Sequence, residues 1–185
     1  MTHKGLVRRA VGWLNTTGKC SLVLSDSELV GGDECPDALG WRYGGRYSKL
    51  IECKLSIADL KNDATKKWRL RNGDASGMGR ERFYLIPDGM VGAQLEKARP
   101  AFEKFTFPEG WGVLALSGRS IKYLVAPTVR ELSAAAALAE VQALARVLRR
   151  FHAQGIKYET VEARFARVRK EYGESRAQFE GVGLS

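Results

Sequence analysis

Residues 36 to 54 place the strongest constraint on how this chain can fold: Pro36-Asp37 leads into Ala38-Leu39-Gly40-Trp41, then Gly44-Gly45, then Lys49-Leu50-Ile51-Glu52-Cys53-Lys54. Two short apolar runs around a Gly-Gly pair specify a β-hairpin, because both glycines tolerate the positive φ of a two-residue turn. With Gly44 and Gly45 as that turn, Tyr43 pairs with Arg46, and counting outward sets Asp37 directly opposite Glu52. Opposed Cβ atoms on one face lie about 5 Å apart, close enough for two carboxylates to hold one divalent cation. Alternation along the strand turns Leu50, Glu52 and Lys54 to that face, and Ile51, Cys53 and Leu55 toward an apolar core. Like charges facing each other destabilise a sheet unless a cation lies between them, so the pairing predicts a metal site.

Two carboxylates and a lysine on one surface suit the hydrolysis of a phosphodiester. Asp37 and Glu52 would bind Mg2+ or Mn2+, which lowers the pKa of a water and offsets transition-state charge. Lys54 would orient or help deprotonate that water, or hold a phosphate oxygen. An Asp at the head of one strand with Glu-x-Lys in the next, here Pro36-Asp37 and Glu52-Cys53-Lys54, resembles the signature of the PD-(D/E)XK nuclease superfamily. Ser56-x-x-Asp59, Lys66-Lys67-Trp68-Arg69, Gly77-Met78-Gly79-Arg80 before Arg82-Phe83-Tyr84-Leu85, and Pro108-Glu109-Gly110-Trp111-Gly112 extend the likeness. Over residues 5 to 150 they are similar to a branch of small bacterial and phage proteins related to the MmcB-like DNA-repair group.

The resemblance implies an α/β fold with a restriction-endonuclease-like core, in which a mixed β-sheet carrying the catalytic hairpin is flanked by helices. Residues 1–153 would form this nuclease-like domain and residues 154–185 a helical extension and tail. A further acidic ligand is implied after the first strand, where Asp26 or Glu28 could complete the metal shell or simply decorate a polar turn. The activity implied is metal-dependent endonucleolytic cleavage of DNA, in repair, recombination or conflict between phage and host. An RNA nuclease would share the chemistry, and a catalytically silent nuclease-fold module that binds nucleic acid or a host protein is the rival from another class.

The formal net charge of +9 agrees with a polyanionic partner, since Lys and Arg contacts to phosphates supply most non-specific affinity for nucleic acid. Ser56 and Asp59 read as a capping-box variant that starts a helix two residues after Lys54. That helix carries Lys66, Lys67 and Arg69, and a Gly-rich loop at residues 71 to 81 carries Arg80; these four are the candidate nucleic-acid contacts. The loop has no Gly-Lys-Ser or Gly-Lys-Thr, hence no signature for a nucleoside triphosphate.

Cys20, Cys35 and Cys53 form no C-x-x-C pair and are odd in number, which argues against a disulfide framework or structural zinc. A reducing cytoplasm, bacterial or phage-infected, fits best. His3 and His152 offer little for a histidine-based metal centre and read as surface residues. Neither a signal peptide nor a membrane span is expected.

Elsewhere, Leu6, Val7, Ala10, Val11 and Leu14 recur at helical spacing, and residues 20 to 24 read as the first strand. Residues 82 to 86 form a further strand, and residues 112 to 116 and 120 to 125 a second hairpin around Gly118. A long Ala- and Leu-rich helix is expected over residues 131 to 153, and an amphipathic one over residues 158 to 172 that would dock on the core, form a homodimer or bind a protein partner.

Overall fold

The structure, a computed structural model, describes residues 1–29, 34–64, 77–91 and 109–154. The chain separates into two units, Met1–Val147 and Leu148–Ser185, and the sheet lies in the first. The expected helix over residues 158 to 172 lies outside the described residues.

Helix α1 (His3–Asn15) begins where Thr2 accepts a hydrogen bond from the Gly5 amide on its side-chain oxygen at 3.2 Å. Strand β1 (Leu22–Ser25) and the short helix α2 (Asp26–Leu29) lead to the hairpin β2 (Ala38–Arg42) and β3 (Tyr47–Cys53). Helix α3 (Ile57–Ala64) follows, then β4 (Glu81–Pro87), the short α4 (Asp88–Val91), the hairpin β5 (Gly112–Ser117) and β6 (Ser120–Val125), and α5 (Ala134–Ala153). The six strands form one sheet in sequence order, mixed as expected: β3, β4 and β5 run parallel, and the other neighbours are antiparallel. Among the described residues, no helix is long and apolar enough to cross a membrane.

The first hairpin closes differently from the two-residue turn expected. Tyr43, Gly44 and Gly45 form a tight 3-10 turn, all with positive φ, and the last ladder pair is Arg42 with Tyr47 rather than Tyr43 with Arg46. One residue is lost from the ladder on each side, so the loop keeps the same midpoint and the register survives: Ala38 faces Ile51, Leu39 faces Leu50 and Gly40 faces Lys49. Helix α5 starts at Ala134 instead of 131, because Ser133 caps it by accepting from the Ala136 amide at 3.2 Å.

The alternation expected of β3 holds. Ile51 and Cys53 enter an apolar cluster with Phe83, Leu85, Leu114 and Leu116, roofed by Leu6, Val7, Ala10, Trp13 and Leu14 of α1. Each of these side chains is nearly or fully buried, and such burial contributes roughly 1.5–3 kcal/mol per large residue. The opposite face receives Leu50, Glu52, Arg82 and Tyr84. On that side Glu140 of α5 acts as a buried staple, accepting from Trp41 Nε1 at 2.8 Å, Ser48 Oγ at 2.7 Å and the Gly79 amide at 2.9 Å.

Candidate active site

Continuing the β2–β3 register one residue past Ala38 and Ile51 sets Asp37 beside Glu52. Asp37 Oδ2 accepts from the Cys53 amide at 2.6 Å, and its backbone carbonyl accepts from the Asp26 amide at 2.9 Å, which ties the start of α2 to the hairpin. Burial pushes the Asp37 carboxyl up to about 6, the neighbouring Glu52 carboxylate adds to this, and the Cys53 amide, His3 and Lys54 offset part of it.

Lys54 is held between two acids. Its Nζ donates to Glu52 Oε2 at 2.9 Å and to Asp63 Oδ1 at 2.8 Å, and all three side chains are buried. Tyr84, the cross-strand partner of Glu52, donates its hydroxyl to Asp63 Oδ2 at 2.9 Å and stacks on Trp111 with centroids 4.5 Å apart. Burial alone would lower the Lys54 pKa, but Glu52 and Asp63 outweigh it and hold the ammonium well above its usual range. An ammonium held charged in this way suits orientation of a water or the holding of a phosphate oxygen.

Sequence reasoning did not single out Asp63. The signal was present: Ser56 Oγ accepts from the Asp59 amide at 3.1 Å and Asp59 Oδ2 from the Leu55 amide at 3.4 Å, the capping box expected. A helix fixed there, three residues from its buried Leu60, turns Asp63 onto the same inward face. An acid on an apolar stripe just after a buried lysine points to that lysine as its partner.

A second grouping surrounds Asp37. His3, Asp26 and Asp37 each offer one ligand atom, all within 4.8 Å of one another, and His3 Nε2 lies 3.4 Å from Asp37 Oδ1. An octahedral ion bound at about 2.1 Å sets adjacent ligands about 3.0 Å and opposite ones about 4.2 Å apart, so the three side chains would draw closer to hold a divalent cation. Two carboxylates suit Mg2+ and Mn2+, and an imidazole favours the softer of the two. Glu28 is occupied elsewhere: its Oε2 accepts from the Ser25 amide at 2.7 Å and from Ser25 Oγ at 3.0 Å. Of the two acids considered after the first strand, Asp26 is the one beside Asp37. His3, expected as a plain surface residue, is 44% exposed yet flanks the acids, because α1 packs its amino-terminal turn over the start of β2.

Arg80 Nη1 pairs with Glu131 at 2.8 Å, whereas Lys66, Lys67 and Arg69 lie outside the described residues. Cys35, which the register would have set opposite Lys54, is exposed, and its thiol donates to the Leu29 carbonyl at 3.7 Å; Cys20, Cys35 and Cys53 are all free thiols.

Asp37→Asn is expected to stabilise the metal-free protein at neutral pH, because the amide oxygen can still accept from Cys53 while the charge beside Glu52 is removed. A carboxyl whose folded pKa is raised costs nothing below the usual carboxylate range, and destabilises progressively as pH rises from about 4 to about 6. Urea unfolding in EDTA should therefore show a gain on the order of 2 kcal/mol for Asp37→Asn at pH 7.5, and none near pH 3.5. An unchanged midpoint at pH 7.5 would show that neither burial nor Glu52 raises the Asp37 carboxyl.

No protein-family model matches the sequence, nor does any curated protein. A solved structure, the SPO1766 protein of unknown function from Silicibacter pomeroyi, is similar to this chain with a TM-score of 0.55 at 18% identity, covering 83% of this chain and 92% of that one. At that identity the likeness shows a shared α/β fold and nothing of activity.

Proposed function

We propose that the protein is a metal-dependent nuclease that hydrolyses phosphodiester bonds in DNA, acting as an endonuclease. One observation carries the reading: Asp37 and Glu52 stand side by side at the open end of the β2–β3 hairpin with the Lys54 ammonium against Glu52. Two carboxylates made to face each other at a cost in stability are a site built for a positive charge.

Asp37 and Asp26, with Glu52 and His3 at hand, would hold Mg2+ or Mn2+. Such an ion, when bound, supplies Lewis-acid polarisation of the phosphate and an acidified water. Lys54, fixed by Asp63 as well as Glu52, keeps its charge and can direct a remaining N–H toward a phosphate oxygen or the attacking water. Asp63 and Tyr84 are positioning residues that prevent the ammonium from collapsing onto Glu52 alone. The charge of +9 favours a nucleic-acid substrate, and the cytoplasm of a bacterium or phage-infected cell is where we place its action.

A second reading has its own support: Glu52 and Lys54 are both almost fully buried and already satisfy each other, as in a nuclease fold kept only for binding nucleic acid or a host protein. Incubating supercoiled plasmid, single-stranded DNA and structured RNA with Mg2+, Mn2+ or EDTA separates the two. Cutting of DNA that requires a divalent ion supports the nuclease, and cutting of RNA alone moves the substrate. Tight binding that ignores the ion, with no cutting of any substrate, leaves the binding module.

A further inference from the structure

A cavity of about 430 Å3 lies between the second half of α1 and the turn from β5 to β6, walled by Arg9, Trp13, Thr17, Arg119 and Ser120. Its lining carries two arginines and no carboxylate. Arg119 is exposed, and its guanidinium makes no hydrogen bond or ion pair among the described residues. Arg9 Nη2 donates to the Arg119 backbone carbonyl, which ties α1 to the turn and leaves the Nε and Nη1 of Arg9 without a partner among the described residues. Trp13 is only 5% exposed, its ring packs edge-to-face with Phe83 and Tyr123, and its buried indole N–H has no acceptor among the described residues. A buried donor left unmade is costly, and an oxygen brought into the cavity is the acceptor within its reach. Gly12 keeps the space open, since a Cβ there would meet nothing within 4 Å. The end of α1 opposes an anion little, because the carbonyls of Gly12, Trp13 and Leu14 already accept from the amides of Thr16, Gly18 and Cys20 at 3.1, 2.7 and 2.9 Å.

We propose that this cavity binds the phosphate group of a small phosphate ester. Two planar forks from different elements, the hydroxyls of Thr17 and Ser120 and the indole N–H offer more donors than a carboxylate can accept, and they suit a tetrahedral oxyanion. The volume lies within the range of small-molecule pockets, about 300–1,000 Å3, so it has room for the organic part of the ester beside the phosphate. A strand bound at Glu52 and Lys54 is a poorer source of that phosphate. Trp13 belongs to the apolar cluster between α1 and the sheet and Ile121 packs against it, whereas Glu52 faces the other side of the sheet. The site therefore stands apart from the nuclease reading and does not depend on it.

The test is calorimetric titration of the full chain in EDTA with adenosine monophosphate, with inorganic phosphate and with a single-stranded oligonucleotide that lacks a terminal phosphate. The native protein should bind the ester, and more tightly than inorganic phosphate. Arg119→Gln removes one exposed fork and should weaken the ester about tenfold. Gly12→Glu sets a carboxylate in the cavity and should abolish binding, whereas Gly12→Ala favours the helix, has space for its Cβ, and should bind within about twofold of the native protein. Thermal unfolding without ligand checks that each variant folds. In the native protein the ester should also shift the NMR signal of the Trp13 indole N–H, identified by its loss in Trp13→Phe. An ester affinity unchanged by both Arg119→Gln and Gly12→Glu overturns the proposal, as does an unmoved Trp13 signal at saturating ester. Binding of the oligonucleotide that depends on Arg119, with no binding of the ester, overturns it in favour of a nucleic-acid contact.

Discussion

Glu52→Gln is expected to reduce divalent-ion-dependent DNA cleavage by about 10² to 10³-fold, the usual consequence of removing one fixed charge from the stabilisation of a charged transition state. The substitution is nearly isosteric, and the amide oxygen can still accept from the Lys54 ammonium, which now lies 2.9 Å from Oε2. The fold should therefore persist while the charge that opposes Asp37 is lost. Because Glu52 is the largest influence after burial in raising the Asp37 carboxyl, the variant should let Asp37 ionise at lower pH. Plasmid relaxation followed against Mg2+ and Mn2+ concentration, with thermal unfolding as the control, reads both effects. Full activity in a folded Glu52→Gln protein would remove Glu52 from the chemistry.

The hairpin was legible because its determinants are local. Period-2 alternation over residues 49 to 54 sends Ile51 and Cys53 to α1 and Glu52 to the other face, and a Gly-Gly pair centres the loop. Even the wrong turn type did no harm, since a loop lengthened symmetrically leaves Ala38 opposite Ile51. The rest of the site was not local. Tyr84 reaches Glu52 through a parallel pairing of strands joined by a crossover, and no feature near either residue encodes that register. His3 comes to Asp37 only because an amphipathic helix lies across the sheet at one angle and not another, which periodicity cannot specify.

Asp63→Ala should destabilise the protein by about 3–5 kcal/mol, the range observed when one member of a buried ion pair is removed. Its carboxylate is buried between Lys54 Nζ at 2.8 Å and the Tyr84 hydroxyl at 2.9 Å, so truncation deprives a buried cation and a buried phenol of an acceptor at once. Asp63→Asn retains an oxygen for one of them and should cost less, about 1–2 kcal/mol. The pair's own contribution is isolated by a cycle with Lys54→Met: with the cation gone, Asp63→Ala should still cost about 2 kcal/mol for the stranded Tyr84 hydroxyl, leaving a coupling energy of about 2 kcal/mol. The sign of the pH dependence follows from the raised Lys54 pKa: the stabilisation is fully present below the lysine's unfolded value of 10.5 and is lost only as pH climbs through the higher folded value. Urea unfolding at pH 8 of the native protein, Asp63→Ala, Asp63→Asn, Lys54→Met and the double variant decides the matter. Asp63→Ala within about 0.5 kcal/mol of the native protein would mean that Lys54 does not depend on Asp63 for its place. A loss near 4 kcal/mol, with cleavage reduced far more in Asp63→Ala than in Asp63→Asn when both are assayed below their unfolding temperatures, would establish Asp63 as the residue that aims the ammonium.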